Sequence, residues 1–297
     1  MKNPKVLLMV CGYKGLGFFE HLVENIPIQE VISYQDHNVT DTAFEKIQEI
    51  CNVKNIRHKD LKRLSAEDIS FFDLVFVVGW QYMLPVLDNI IVFHDSLLPK
   101  YRGFAPTVNA LINGEKQIGV TAFSPREGVD TGPILGQAAT PITYPIKIRD
   151  AFDMQITLAG NLAIELFKQK QAEALRCIEQ DEDEATYSIW RDQEDFFIDW
   201  TLPSETIVRT IDALGWPYNG ARSYCGDSEV VLLGAESVYP KKKFENPNPG
   251  KIWNISPSGI EVLTGTGTIC LNHVLDCNGE RFQPEKLRQR FTSKRGS

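Results

Sequence analysis

The sequence lacks several features that would assign a function at once. No apolar run approaches the ~20 residues of a membrane helix, so no membrane partner is expected. The N-terminal apolar stretch Val6-Leu7-Leu8-Met9-Val10 is short and has no small-residue cleavage site. It reads as a first strand and not as a signal peptide. Cysteine is sparse and scattered: Cys11, Cys51, Cys177, Cys225, Cys270 and Cys277 include no Cys-x-x-Cys pair. That spacing predicts free thiols, no metal and a cytoplasmic location. An excess of positive charge is missing too, for the formal net charge is −8. Nucleic-acid binders usually show a basic surface, at least locally. The acidic balance therefore weighs against such a substrate, while leaving room for a local basic patch.

What remains is an ordinary globular composition, 43% hydrophobic and 24% charged, on 297 residues. That is enough for one large or two modest domains. Apolar β-rich segments at Lys5–Val10, Glu30–Tyr34, Asp73–Gly79 and Ile90–Phe93 alternate with helical patterns after Gly17 and over Asp41–Cys51. Such alternation predicts a parallel, doubly wound sheet of the Rossmann-like α/β class. Leu61–Ile69 reads as a short charged connection. Pro106–Ile112 reads as a helix with proline near its start and an Asn113-Gly114 exit. Gly119–Phe123 and Gln137–Ile142 are further strands. The amphipathic stretch Ile148–Gln171 predicts a long helix that closes the first domain.

From Ala172 the character changes. The acidic run Glu179-Gln180-Asp181-Glu182-Asp183-Glu184 reads as a solvated linker. A short helix is expected over Glu205–Leu214. Strands at 229–233, 250–255, 259–263 and 268–274 then alternate with turns such as Asn246-Pro247-Asn248-Pro249, the pattern of a small barrel or sandwich. The expected division is 1–178 for the first domain, 179–203 for a linker and 204–297 for a β-rich second domain. Edge strands of the second domain leave a homodimer open. Lys241-Lys242-Lys243 reads as a solvated loop, with a phosphate contact as the rival reading.

Cys11-Gly12-Tyr13-Lys14-Gly15-Leu16-Gly17 follows the first strand. A glycine-rich strand-to-helix turn presents N–H groups to an anion. The order Gly-x-x-Gly-x-Gly is not the dinucleotide fingerprint. The segment reads as a tight turn in which Gly12, Tyr13 and Lys14 touch an acceptor; an exposed loop lysine is the alternative. Asp36 reads as a turn residue.

The chain is organised around Ile90 to Gly136. Four β-formers, Ile90 to Phe93, run straight into His94, and the strand Gly119–Phe123 leads through a turn at Gly128 to Asp130. Ligands of open α/β sheets sit outside the carboxyl ends of strands. A His and an Asp that both follow strands are candidates for one site. The rival reading is a turn-forming aspartate and a satisfied structural histidine.

His94-Asp95-Ser96-Leu97-Leu98-Pro99, Arg102-Gly103, Ala105-Pro106, Gly119-Val120-Thr121 and Asp130-Thr131-Gly132 stand in an order that resembles the folate-dependent formyltransferases. The resemblance implies 10-formyltetrahydrofolate as formyl donor and an OB-like C-terminal domain. It implies His94 and Asp130 as catalytic residues. Trp80, Gln81, Tyr82, Met83, Leu84 and Gly128 would wall the folate, and Ser96, Tyr101, Arg102 and Phe104 would join Gly12, Tyr13 and Lys14 at the acceptor. One position departs from the pattern: Val92 stands where the family's commonest triad has Asn. Valine donates no hydrogen bond, and losing one oxyanion donor costs ~10²–10³ in rate where it is used. Another group replaces it, or the reaction runs without it, or activity is impaired; Asn89 and Asn109 are nearby in sequence.

Formyl transfer to an amine needs a neutral amine, a partner for the charge on the formyl oxygen and a proton for the leaving nitrogen. On this reading His94 donates to the oxygen, and Asp130 fixes the imidazole or takes the amine proton. Ser96 sits in no Gly-x-Ser-x-Gly elbow. The expected acceptor is a nucleotide-linked (dTDP-type) amino sugar for glycan or lipopolysaccharide synthesis. Initiator methionyl-tRNA is the alternative, and a non-catalytic folate- or sugar-binding relative is a third, motivated by Val92.

Overall fold

The computed structural model describes residues 3–35, 42–63 and 65–294. Asp36 and Asp41, assigned above to a turn and a helix start, lie outside them. The chain divides into two compact units: 1–107, 116–142 and 150–189 form the first, and 108–115, 143–149 and 190–297 the second. The expected linker 179–203 is thus shared, its first eleven residues belonging to the first unit.

In chain order the elements are β1 (Val6–Val10), α1 (Gly12–Leu22), β2 (Ile28–Ser33), α2 (Ala43–Lys54), β3 (Arg57–Asp60), α3 (Ala66–Ser70), β4 (Leu74–Val78), β5 (Ile90–His94), β6 (Arg102–Gly103), α4 (Pro106–Asn113), β7 (Gln117–Phe123), β8 (Ile134–Pro141), α5 (Ile148–Gln171) and β9 (Tyr187–Ser188). A seven-stranded sheet runs β3-β2-β1-β4-β5-β7-β8. Its first five strands are parallel; β7 and β8 are antiparallel. The direction of winding reverses between β1 and β4, where open α/β sheets form their crevice.

Both faces of the sheet are covered, which is why its central strands read as unbroken apolar runs. Val6, Leu8 and Val10 of β1 pack with Phe18, Phe19 and Leu22 of α1 and Leu162 and Leu166 of α5. Leu7 and Met9 face the other way, with Ile69, Phe72, Val75, Val77 and Ile90, and Trp80, Leu84, Leu87 and Val92 pack at its margin. Side chains alternate along a strand, so His94 emerges on the Ile90/Val92 face.

Two local expectations need correction. The glycines after β1 form no tight turn: α1 begins at Gly12. Gly15 lets the helix lie on β1, since a Cβ there would come within 3.0 Å of the Val10 backbone, and one at Gly17 would meet Ile156 at 2.7 Å. The charged connection contains α3, started by a capping box in which Ser65 and Asp68 satisfy each other's N–H groups. β3 (Arg-His-Lys-Asp) has no apolar signal because it is an edge strand, where charge is tolerated and useful.

The second unit holds α6 (Ser204–Ala213), β10 (Ala221–Cys225), β11 (Ser228–Ser237), β12 (Ile252–Ser256), β13 (Gly259–Leu263), β14 (Thr268–Asp276) and β15 (Phe291–Thr292). They form an antiparallel OB-like half-barrel in the order β12-β13-β14-β11-β10-β15. Ile207 and Ile211 of α6 are buried. Two lysines of the basic cluster meet carboxylates, Lys241 with Glu205 at 2.6 Å and Lys242 with Glu261 at 3.4 Å. The six cysteines form no disulfide. Among the described residues, no helix is long and apolar enough to cross a membrane, and no cluster of three His, Cys, Asp or Glu stands ready for a metal.

Candidate active site

β5 delivers His94 at its carboxyl end, buried, opposite Thr121 of β7. The loop between β7 and β8 carries Asp130. Nδ1 of His94 lies 3.4 Å from Oδ2 of Asp130, and Nε2 lies 2.8 Å from the Tyr101 carbonyl. A carbonyl only accepts, so Nε2 carries the hydrogen, and Nδ1 of the neutral ring turns its lone pair to the carboxylate. Asp130 Oδ2 also accepts the Gly103 N–H at 2.8 Å. Burial pushes the His94 pKa below its usual value; Asp130 and the Tyr101 carbonyl work against this, and the Lys14 charge adds to it. Burial thus favours the uncharged form of the ring.

Lys14 is no exposed loop lysine. From the first turn of α1 it pairs with Asp95, the residue after His94, and its ammonium lies 4.6 Å from the Phe152 ring centroid. Burial lowers its pKa to about 7, and the Asp95 carboxylate opposes that shift. Gln155 of α5 fixes the same strand end, donating to the Asp95 and Gly119 carbonyls at 3.0 Å each. Gly12 opens the helix with φ 65°, and the Tyr13 hydroxyl donates to Asp153.

Two residues expected at the acceptor are turned inward. Arg102 is 0% exposed. Its guanidinium donates to both Glu182 oxygens at 2.7 Å and to Gln180 Oε1 at 2.9 and 3.1 Å. These bonds raise the Arg102 pKa and lower that of Glu182. Ser96 is buried and donates to the Lys100 carbonyl at 2.6 Å. The Arg102 guanidinium has no donor left to offer a substrate. Phe104 is exposed, and Tyr101 presents its backbone, at φ 60°, to the imidazole.

On the His94 face, Trp80 and Leu84 pack beside Val92 at the edge of the apolar cluster. Trp80 and Tyr82 each stand edge-on to Tyr34, with centroids 5.0 and 5.1 Å away. Gln81 and Met83 point outward, Met83 being 90% exposed. Trp80, Tyr82 and Leu84 thus form a half-buried aromatic wall. Val92 brings no donor to it, and the Asn89 amide is engaged elsewhere. The Asn89 amide donates to the Ile69 and Phe72 carbonyls at the far end of β5. Asn109 accepts from Arg191 at 2.6 Å. Gly128 turns at φ 106° two residues before Asp130.

The acidic run is only in part a solvated stretch. Gln180 reaches from it to Arg102 and to the Asp130 and Gly132 carbonyls, the latter two at 2.7 Å. β9 pairs with β6 in parallel register. Thr121 is a further hub: it donates to the Ser96 carbonyl at 2.7 Å and accepts from the Leu98 N–H at 3.0 Å and Gln137 Nε2 at 2.8 Å. No local sequence signal marks Gln180, because its partners lie far away along the chain, and the Gly119-Val120-Thr121 motif does not show what Thr121 bonds. Two clefts of about 530 and 260 Å³ lie against β8 and between α1 and α5. Neither is lined by His94 or Asp130. The dyad and not the volume defines the site, for a cleft alone moves no proton.

Comparison with known proteins supplies the context. The formyl transferase family model matches residues 35–153, and that of the formyl transferase C-terminal domain matches 191–291. The chain is 31% identical over 229 residues to a methionyl-tRNA formyltransferase of Halorhodospira halophila, covering 73% of each chain. It shares its fold with the N-formyltransferase of Helicobacter canadensis solved with folinic acid and dTDP-3-aminofucose, at TM-score 0.65 and 16% identity over 90% of this chain and 98% of that one. It also shares it with Aquifex aeolicus HypX in complex with tetrahydrofolic acid, at TM-score 0.65 and 16% identity, over 93% of this chain and 45% of the longer one. With both family models matched in order and a 31% identical relative aligned over 73% of its length, the chain belongs to the folate-dependent formyltransferase family of enzymes.

Proposed function

We propose that the protein moves a formyl group from 10-formyltetrahydrofolate to a primary amine, with His94 and Asp130 as the groups that handle protons. The convergence of these two side chains, from positions 36 residues apart, on a 3.4 Å contact is the observation that carries the reading. The folate supplies an activated formyl carbon, and Trp80, Tyr82 and Leu84 with Val92 offer the wall against which its ring system fits. Asp130, fixed by the Gly103 N–H, takes the proton that an acceptor ammonium must lose before it attacks. His94 stands with Nδ1 toward Asp130 and holds a proton at Nε2. That proton reaches the formyl oxygen only after the ring gives up the Tyr101 carbonyl, and the proton taken by Asp130 passes to the folate nitrogen as its bond to the formyl carbon breaks. Positioned acid–base groups of this kind contribute ~10²–10⁴ to a rate.

The sequence relatives favour initiator methionyl-tRNA as the acceptor, over the amino sugar expected from the sequence alone. A second reading keeps the nucleotide-linked amino sugar. The net charge of −8 favours it, as does the pairing of Lys241 and Lys242 with carboxylates. The test is to supply 10-formyltetrahydrofolate with initiator methionyl-tRNA or with a panel of dTDP- and UDP-linked amino sugars, and to follow folate release. Turnover with tRNA, weakening steeply with salt, establishes the first acceptor; turnover with a sugar alone replaces it with the second. No turnover with any amine removes the transferase reading.

A further inference from the structure

Both residues that face the His94 ring hold a backbone conformation that L residues rarely adopt: Tyr101 at φ 60° and Asp130 at φ 53°. Such conformations persist only where the surroundings over-determine them. One stretch of chain does so for both. Gln180 Nε2 donates to the Asp130 and Gly132 carbonyls at 2.7 Å each. Thr186 Oγ1 accepts the Tyr101 N–H at 2.8 Å, and Ser188 Oγ donates to the Tyr101 carbonyl at 3.3 Å. The Gln180 amide has one possible orientation. Its oxygen meets the Arg102 guanidinium, which only donates, and its nitrogen meets two carbonyls, which only accept. Arg102 is in turn held by Glu182 in a two-pronged pair, the geometry that best fixes a guanidinium plane.

We propose that residues 180–188 are a positioning strap for the dyad, in which Gln180 sets the turn that carries Asp130 and Thr186 sets the carbonyl that holds the His94 ring. The proposal rests on the formyl-transfer reading of that dyad. Gln180 and Thr186 touch neither substrate nor reacting atom in it; they act through Asp130 and Tyr101. A shift of 1 Å in a reacting group costs on the order of 10²-fold in rate, so small slack in the strap is read as lost turnover.

The experiment uses Gln180→Glu, Thr186→Val and Thr186→Ser in the full chain. Gln180→Glu keeps an acceptor for Arg102 and turns a second oxygen against the two carbonyls. Thr186→Val keeps shape and loses the acceptor, whereas Thr186→Ser keeps it. The first two lower kcat at least about tenfold and change KM for 10-formyltetrahydrofolate less than about threefold, and Thr186→Ser stays within about threefold of wild type. The His94 ring resonances, followed by NMR, move in the first two and stay in the third. Wild-type kcat in folded Gln180→Glu and Thr186→Val overturns the strap, as does an equal loss in Thr186→Ser. Should Gln180→Glu not fold, the Thr186 pair decides. A wild-type protein that transfers no formyl group overturns the function, and the ring resonances alone then decide the strap: unmoved resonances end it.

Discussion

Oδ2 of Asp130 stands 3.4 Å from Nδ1 of His94 while accepting the Gly103 N–H at 2.8 Å. The Gly103 N–H fixes the carboxylate oxygen that faces the ring. The Tyr101 carbonyl does the same for the ring from its other side. A neutral imidazole so held has its basic nitrogen facing an anion, and a proton arriving between them is shared.

Replacing either member removes that shared position. His94→Ala and Asp130→Asn each lower turnover at least about tenfold, read as folate release at saturating donor. Wild-type rates in both variants would refute the site assignment.

The Lys14 ammonium tests burial against ion pairing. In the unfolded chain a lysine titrates near 10.5; here it is lowered to about 7. Between those values the unfolded chain binds the extra proton, so stability rises with pH across that window. Urea unfolding at pH 7.5 and 9.5 shows the wild type gaining on Lys14→Met. Parallel behaviour of the two would mean that Asp95 cancels the burial.

Arg102 serves the fold and not the substrate. Arg102→Met lowers Tm by at least about 5 °C, a loss of the order expected for a severed buried network. KM for the acceptor, measured below the new Tm, stays within about threefold. A rise in KM with unchanged Tm would return Arg102 to the acceptor site.

Val92→Asn places an amide at the margin of an apolar cluster. An unpartnered buried amide costs ~1–3 kcal/mol, and urea unfolding reads the loss. An accompanying rise of ~10² in kcat would show that this position faces the formyl oxygen and that the native enzyme runs without a donor there.

The sequence by itself determined the doubly wound sheet, the long helix ending at Gln171, the β-rich second unit and the two strand-end residues of the dyad. Each of these rests on a local cause: unbroken apolar runs for strands buried on both faces, a 3.6-residue stripe for α5, and turns that end strands at His94 and before Asp130. Ser65 and Asp68 also carried a local signal, the capping box, but it opens a helix of only five residues. The direction of the buried polar groups was decided by the tertiary structure alone. Arg102, Ser96 and Lys14 read as acceptor-binding groups because their partners Glu182, Lys100 and Asp95 are not marked by any period or spacing. Gln180 was hidden in an acidic run for the same reason. A buried hydrogen bond is made between groups that folding brings together, and which groups those are follows from the path of the whole chain.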